Sequence, residues 1–435
     1  MTRRWPHTGA LVVCFLAISA QVPWRPDVFY SGGVDPVVAA KGALTLTALG
    51  IGLAVVRSRG HRFDVPASPF LWVFSFLACT VLGAAADQRL VPTVVLAVRV
   101  MLVLLIVAVL MSTYRPQDVL HAVIVIFGLL VVVATLTTLV LGTTGRLRGG
   151  LPPLHANELA SLAVMCLLWV VARLFRGEDR PASVLFVPAC IAIIILTQSR
   201  TSLAAGGAAL VVLVLFATRM RLMVACVVAA VPALVLGLVV TTSLTEQVVT
   251  RGEDAARLAT FADRLFAWRA AVAPGQPFWH QWFGGGLSQK TVEVSGQPWT
   301  QQVLDSSWVS ALVQAGWLGL AIGACWVVTI LVGLFQAPRD WRGVMVALTV
   351  FLILRGFLES GLFDATTSFI VLCTLAFSSV LMRGHTTLDE DEPGLVSRAV
   401  SSAVGRADTA SADAPAAAPV APAADDSRLP EPSRS

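Results

Sequence analysis

Charge is scarce in this chain, and lysine is almost absent. Only 13% of the 435 residues are charged, and of 31 basic residues just two, Lys41 and Lys290, are lysine. Soluble domains carry about 25% charge, so an ordinary soluble protein is excluded. Metal and disulfide patterns are also missing. The seven cysteines (Cys14, Cys79, Cys166, Cys190, Cys226, Cys325, Cys373) all lie in apolar runs and form no C-x-x-C pair. They read as small packing residues, with neither a disulfide nor a metal expected. The six histidines are scattered without ligand spacing. The net charge of +5 comes from arginines in short loops, so it points to membrane topology and not to nucleic acid.

What is present is apolar length. Hydrophobic residues make up 56% of the chain, and the mean hydropathy is +0.79. Runs of about 20 apolar residues span a bilayer. They occur near 9–24, 36–56, 69–86, 91–112, 117–141, 157–175, 182–198, 201–217, 220–243, 304–334, 340–358 and 363–382. The expected fold is all-α: a polytopic membrane bundle of about twelve transmembrane helices. The pair 182–217 also reads as one broken helix, and 304–334 is long enough to hold a surface turn. Arg3 and Arg4 before an apolar run loosely fit a signal peptide. The eleven later spans and the Pro-rich sequence after that run favour a retained first helix.

Arginine placement sets the expected orientation. With both termini cytoplasmic, the inside loops hold Arg57, Arg59, Arg62, Arg115, Arg173, Arg176, Arg180, Arg219, Arg221, Arg339, Arg342 and Arg383, and the outside loops hold fewer. This puts the loop 244–303 on the extracytoplasmic side, within a membrane domain covering 1–383. Residues 384–435, rich in Ala, Pro, Ser and Asp, cannot build a core and read as a disordered cytoplasmic tail. No internal repeat stands out, which disfavours inverted-repeat carriers.

A few polar residues sit where hydrocarbon would penalise them. Gln198-Ser199-Arg200-Thr201-Ser202 interrupts two apolar segments. Arg200 there either snorkels to the interface or clasps a phosphate with paired hydrogen bonds. Between Glu246 and Val272, Arg257, Phe261, Arg264, Leu265 and Trp268 recur at helical spacing. That segment is either a helix on the membrane surface or an arginine-bearing lid over an anionic lipid-linked substrate. The triplet Gly284-Gly285-Gly286 permits close backbone approach, though a plain turn needs no more. Asp305, followed by Ser306 and Ser307, opens a membrane helix either as an N-cap or as a catalytic carboxylate. Arg355 and Glu359 fall one helical turn apart, as a neutralising pair would. Asn157 or Glu158 starts another helix, as a cap or as a polar lining group.

Taken in order, these elements resemble the O-antigen ligase/polymerase superfamily. The steps are Leu154-His155-Ala156-Asn157-Glu158-Leu159-Ala160, Thr197-Gln198-Ser199-Arg200-Thr201-Ser202-Leu203, Arg264 and Trp268 leading to Gly284 and Gly286, and Asp305-Ser306-Ser307-Trp308-Val309 followed by Gly316-Trp317-Leu318-Gly319-Leu320. The likeness covers roughly residues 150–365. One departure stands out: the family's frequent His-Asn is Asp305-Ser306 here. The resemblance implies a glycosyltransferase C-like bundle, a large periplasmic loop and no metal or other cofactor.

The expected function is that of a bacterial inner-membrane glycan ligase or polymerase. It moves a glycan from a polyprenyl-diphosphate carrier to an acceptor hydroxyl in envelope polysaccharide synthesis, with inversion. Asp305 is the expected base. Arg200, Arg264 and Arg355 are expected to neutralise the leaving diphosphate. Trp268, Ser306 and Gln314 complete the substrate-binding set. A transporter or flippase of lipid-linked substrates is the rival reading. A scaffold in an envelope-assembly complex is a third, for which Asp305 and Arg200 would matter only to stability.

Overall fold

The computed structural model describes residues 8–25, 35–60, 63–142, 145–178, 181–217, 266–272, 277–293 and 301–383. Its long helices are α1 (Thr8–Gln21), α2 (Pro36–Ser58), α3 (Ser68–Ala86), α4 (Leu90–Thr113), α5 (Pro116–Leu141), α6 (Ala156–Phe175), α7 (Pro181–Leu196) and α8 (Arg200–Leu215). After them come a short α9 (Phe278–Phe283), strands β1 (Thr291–Glu293) and β2 (Gln301–Val303), then α10 (Ser307–Phe335), α11 (Arg339–Leu358) and α12 (Thr367–Leu381). The expected span 220–243, most of the 246–272 stretch including Arg264, and the tail from 384 lie outside the described residues.

Helices stand at the other eleven expected positions. Seven are long and apolar enough to cross a membrane. Four apolar helices are shorter: Thr8–Gln21, Leu185–Leu196, Arg200–Leu215 and Thr367–Leu381. The chain is therefore a multi-span helical membrane protein. Among the described residues, seven helices have full spanning length.

Local chemistry fixes the helix starts. Asp35 accepts from the Val38 N–H at 2.7 Å, with Pro36 in the first turn of α2. Thr366 caps α12 through the Phe369 N–H. Residues 182–217 form two helices: the chain breaks at Gln198, which has φ of 50°, and Ser199 caps α8. The interior is filled by α4, α5, α6, α11 and α12, with Phe127, Phe351, Phe369 and Phe377 fully buried. Outward faces are equally apolar, as at Leu46, Leu71, Phe74, Leu139 and Val140. Such a surface suits lipid and not water.

The long α10 is broken. Gly316 has φ 68° and ψ −171°, a conformation nearly confined to glycine. Twenty-nine residues at about 1.5 Å each would reach about 43 Å, beyond the roughly 30 Å of hydrocarbon. The part after the break, 317–335, is about 28 Å long and matches one bilayer. Residues 307–315 form a separate, more polar half.

The helix ends form two groups. At one, Arg59 lies over the Tyr114 ring at 4.6 Å and Arg176 over Trp341 at 4.2 Å, beside the Arg173–Glu178 pair. At the other lie the starts of α2, α4, α6, α8, α10 and α12, together with residues 277–293 and 301–303.

Candidate functional site

Three of the sequence steps meet at Glu359, the C-terminal cap of α11. Its carbonyl accepts from the Ser307 N–H at 3.1 Å and the Ser307 hydroxyl at 2.7 Å. Ser307 Oγ also accepts from the Leu362 N–H at 3.1 Å. The Glu359 carboxylate accepts from Nδ2 of Asn157, 202 positions away in the chain. Asn157 Oδ1 accepts from Arg146 at 3.1 Å, and the same arginine donates to the Thr197 carbonyl at 3.0 Å. Ser202 donates to the Asn157 carbonyl at 3.5 Å. The starts of α6, α8 and α10 are thus tied to one end of α11.

The start of α10 differs from expectation in one respect. Its N-cap is Ser306, whose Oγ accepts from the Val309 N–H at 3.4 Å and donates to the Gly356 carbonyl at 3.3 Å. Ser306 is 1% exposed, so its hydroxyl is committed to the protein. Asp305 stands half-buried one residue earlier. Two adjacent residue types both favoured as caps leave this choice open in the sequence.

Arg200 is exposed in the first turn of α8, beside Ser199 and Ser202. Arg355 is buried in the last turn of α11. It donates to Ser368 Oγ at 3.0 Å, while its Nε has no hydrogen-bond partner. Trp268 sits in a helical segment over 266–271, where Ala271 packs against Leu304 and Val313. That contact brings the segment to the start of α10.

The Gly triplet fits into the break in α10. The N–H groups of Gly285 and Gly286 donate to the carbonyls of Val313 and Gln314 at 2.9 and 3.0 Å. Those carbonyls lose their ordinary partners, the N–H groups of 317 and 318, where the helix breaks. The loop supplies replacements, as a break at membrane depth requires. Gly284 has φ of 70°, and a side chain there would meet the Gln314 and Ala315 backbone. Gln314 is buried and donates through Nε2 to the Gln289 carbonyl at 3.1 Å. His280, 3.3 Å from Asp87, docks the same loop on the α3–α4 turn.

Beside this node lies a cavity of about 340 Å³ between the end of α1, the start of α2, α4, Glu158, Lys290 and the 360–366 turn. Lys290 reaches it because the β1–β2 hairpin sets the Lys290 carbonyl against the Leu304 N–H at 3.0 Å, next to Asp305. Neither this cavity nor the bridge made by Arg146 follows from the motifs. The available signals were the rarity of lysine and an arginine, Arg146, in a loop expected outside.

Comparison with known families matches residues 183–324 to the family described as O-antigen ligase. No curated protein matches the chain. The matched stretch runs from α7 through Arg200, the Gly triplet and Asp305 to the second half of α10. It stops short of Arg355 and Glu359, which the fold brings to it. Over this stretch, about a third of its length, the chain is similar to the O-antigen ligase family, which points to glycan transfer in polysaccharide synthesis.

Proposed function

We propose that the protein transfers a glycan from a polyprenyl-diphosphate carrier to a hydroxyl on another glycan or lipid, with inversion and without a metal. The observation that carries this reading is the junction at Glu359. It ties together the 154–160, 197–203 and 305–309 steps, which lie far apart in sequence. Asp305 takes the proton of the acceptor hydroxyl. The acceptor oxygen attacks the anomeric carbon, and the bond from that carbon to the diphosphate oxygen breaks on the opposite face. The polyprenyl diphosphate leaves as an anion, so it needs charge neutralisation more than protonation.

Arg200, Arg264 and Arg355 supply that positive charge, and the guanidinium fork suits phosphate oxygens. Trp268 and Gln314 line the approach, and Ser306 fixes the helix start that carries Asp305. The lipid tail lies among the helices of a bacterial inner membrane, and the chemistry takes place on its outer side. The polar helix ends lie opposite the arginine-rich end, which supports that orientation. The test is transfer in vitro with a defined polyprenyl-diphosphate glycan. A new glycosidic linkage should form equally with and without EDTA. Turnover lost in EDTA and restored by magnesium would overturn the metal-free mechanism.

A further inference from the structure

We propose that α9 is an interfacial helix, with Phe278, Trp279 and Trp282 seated at the boundary between headgroups and acyl chains of the outer leaflet. The partner is the phospholipid bilayer, and the assignment stands without the glycan-transfer reading. α9 reads Phe-Trp-His-Gln-Trp-Phe and carries no lysine, arginine or carboxylate. Phe278 and Trp282 are four residues apart and so share one side of the helix. Their ring centroids are 6.1 Å apart, and Trp279 flanks them. All three are exposed, Phe278 to 70%. The opposite side is held by protein: Phe283 packs against the main core, and His280 lies 3.3 Å from Asp87. Large aromatics left outside on one helix face mark a contact surface.

Two neighbouring spans fix the depth of this face. Trp279 Nε1 donates to the Leu82 carbonyl at 3.2 Å. Leu82 stands four residues before the end of α3, so α9 lies about 6 Å inside that end. The contact is close, because a Cβ on Gly83 would collide with the carbonyls of Phe283 and Gly284. The second span is the long half of α10. Gly316 lies against the Trp282 carbonyl and the Phe283 N–H, which sets α9 level with Trp317, where the bilayer-length part begins. Leu82 on α3 and Trp317 and Leu318 on α10 are exposed as well. The aromatic face therefore continues the lipid-facing surface of two spans. Tryptophan suits that depth, with an apolar ring beside a polar N–H, and an apolar helix face enters the boundary by about 5–10 Å. Gln281 lies about a third of a turn from the centre of the face, so the same helix keeps a side in water. The Gly triplet follows α9 directly and bonds the broken half of α10, so the seating also fixes the depth of that half.

The experiment is photo-crosslinking of the full-length protein in nanodiscs of phosphatidylethanolamine and phosphatidylglycerol. The photoreactive residue p-benzoylphenylalanine replaces Phe278 or Trp282 or, as a control, Glu293, which is exposed in β1. At 278 and 282 one exposed aromatic gives way to another, so the fold should be kept, and monodispersity checks it in each protein. Mass spectrometry after irradiation identifies what each position touches. Phospholipid adducts at 278 and 282 should exceed those at 293 at least five-fold. Adducts at 278 and 282 no more frequent than at 293 overturn the proposal. Crosslinks running chiefly to another stretch of this chain, such as residues 220–243, overturn it too, because protein then covers the face. Crosslinks to a second copy of the chain do the same and make the face a dimer contact.

Discussion

Ser306 caps α10, the proposed mechanism makes the adjacent Asp305 the base, and substitution separates the two roles. Asp305→Asn leaves the Ser306 cap in place, so the thermal midpoint should hold while transfer falls at least a hundred-fold. Ser306→Ala should do the reverse in part, lowering stability by about 1 kcal/mol while retaining a carboxylate at 305. A fully active Asp305→Asn protein would remove Asp305 as the base. For the leaving group, Arg200→Lys keeps charge but loses the planar fork. Loss of such a positioned donor costs roughly a hundred-fold in turnover. Wild-type rates in both Arg200→Ala and Arg264→Ala would sink the diphosphate clamp. The sequence brought Asp305 and Arg200 forward because polar groups at a membrane boundary stand out against hydrocarbon. It hid the Asn157–Glu359 contact, since a pairing across 202 positions leaves no local pattern.

Among the elements, α10 and the Gly triplet behave as one unit. Gly316→Ala forces a side chain into a backbone conformation that costs on the order of 1–3 kcal/mol. It also drives a methyl into the Trp282 carbonyl and the Phe283 N–H. The expected result is a lower thermal midpoint and, because Gln314 and Asp305 share the same half-helix, reduced transfer. A variant with wild-type stability would mean that the break does not depend on glycine. Helix positions were legible in advance because apolar length is a direct physical signal. The break was foreshadowed only by excess length in 304–334. The short hairpin was invisible, since Thr291–Glu293 and Gln301–Val303 carry no apolar alternation.

For the molecule as a whole, sidedness decides whether the chemistry has access to its substrate. A single cysteine at Gln281, exposed in α9, should react with a membrane-impermeant maleimide in intact, wall-stripped cells. Labelling only after permeabilisation would reverse the orientation and remove the extracytoplasmic reaction with it. The arginine distribution made this expectation possible. The grouping of helix ends gives it a physical basis, because the cation–aromatic stacks of Arg59 and Arg176 lie at the end away from Glu359.

The broken α10 also bears on how the protein is made. Residues 317–335 alone have the apolar length to partition from the insertion machinery into lipid. The preceding half-helix carries Ser307, Ser310 and Gln314 and is too short and too polar to do so. The Gly triplet is synthesised first, so its two N–H groups are already waiting when Val313 and Gln314 emerge. Biogenesis of this segment therefore has two stages: membrane integration of 317–335, then docking of 307–315 onto the loop. A defect at Gly316 should spare the first stage and block the second. It should leave a protein that is fully integrated, yet cut readily by protease ahead of residue 316.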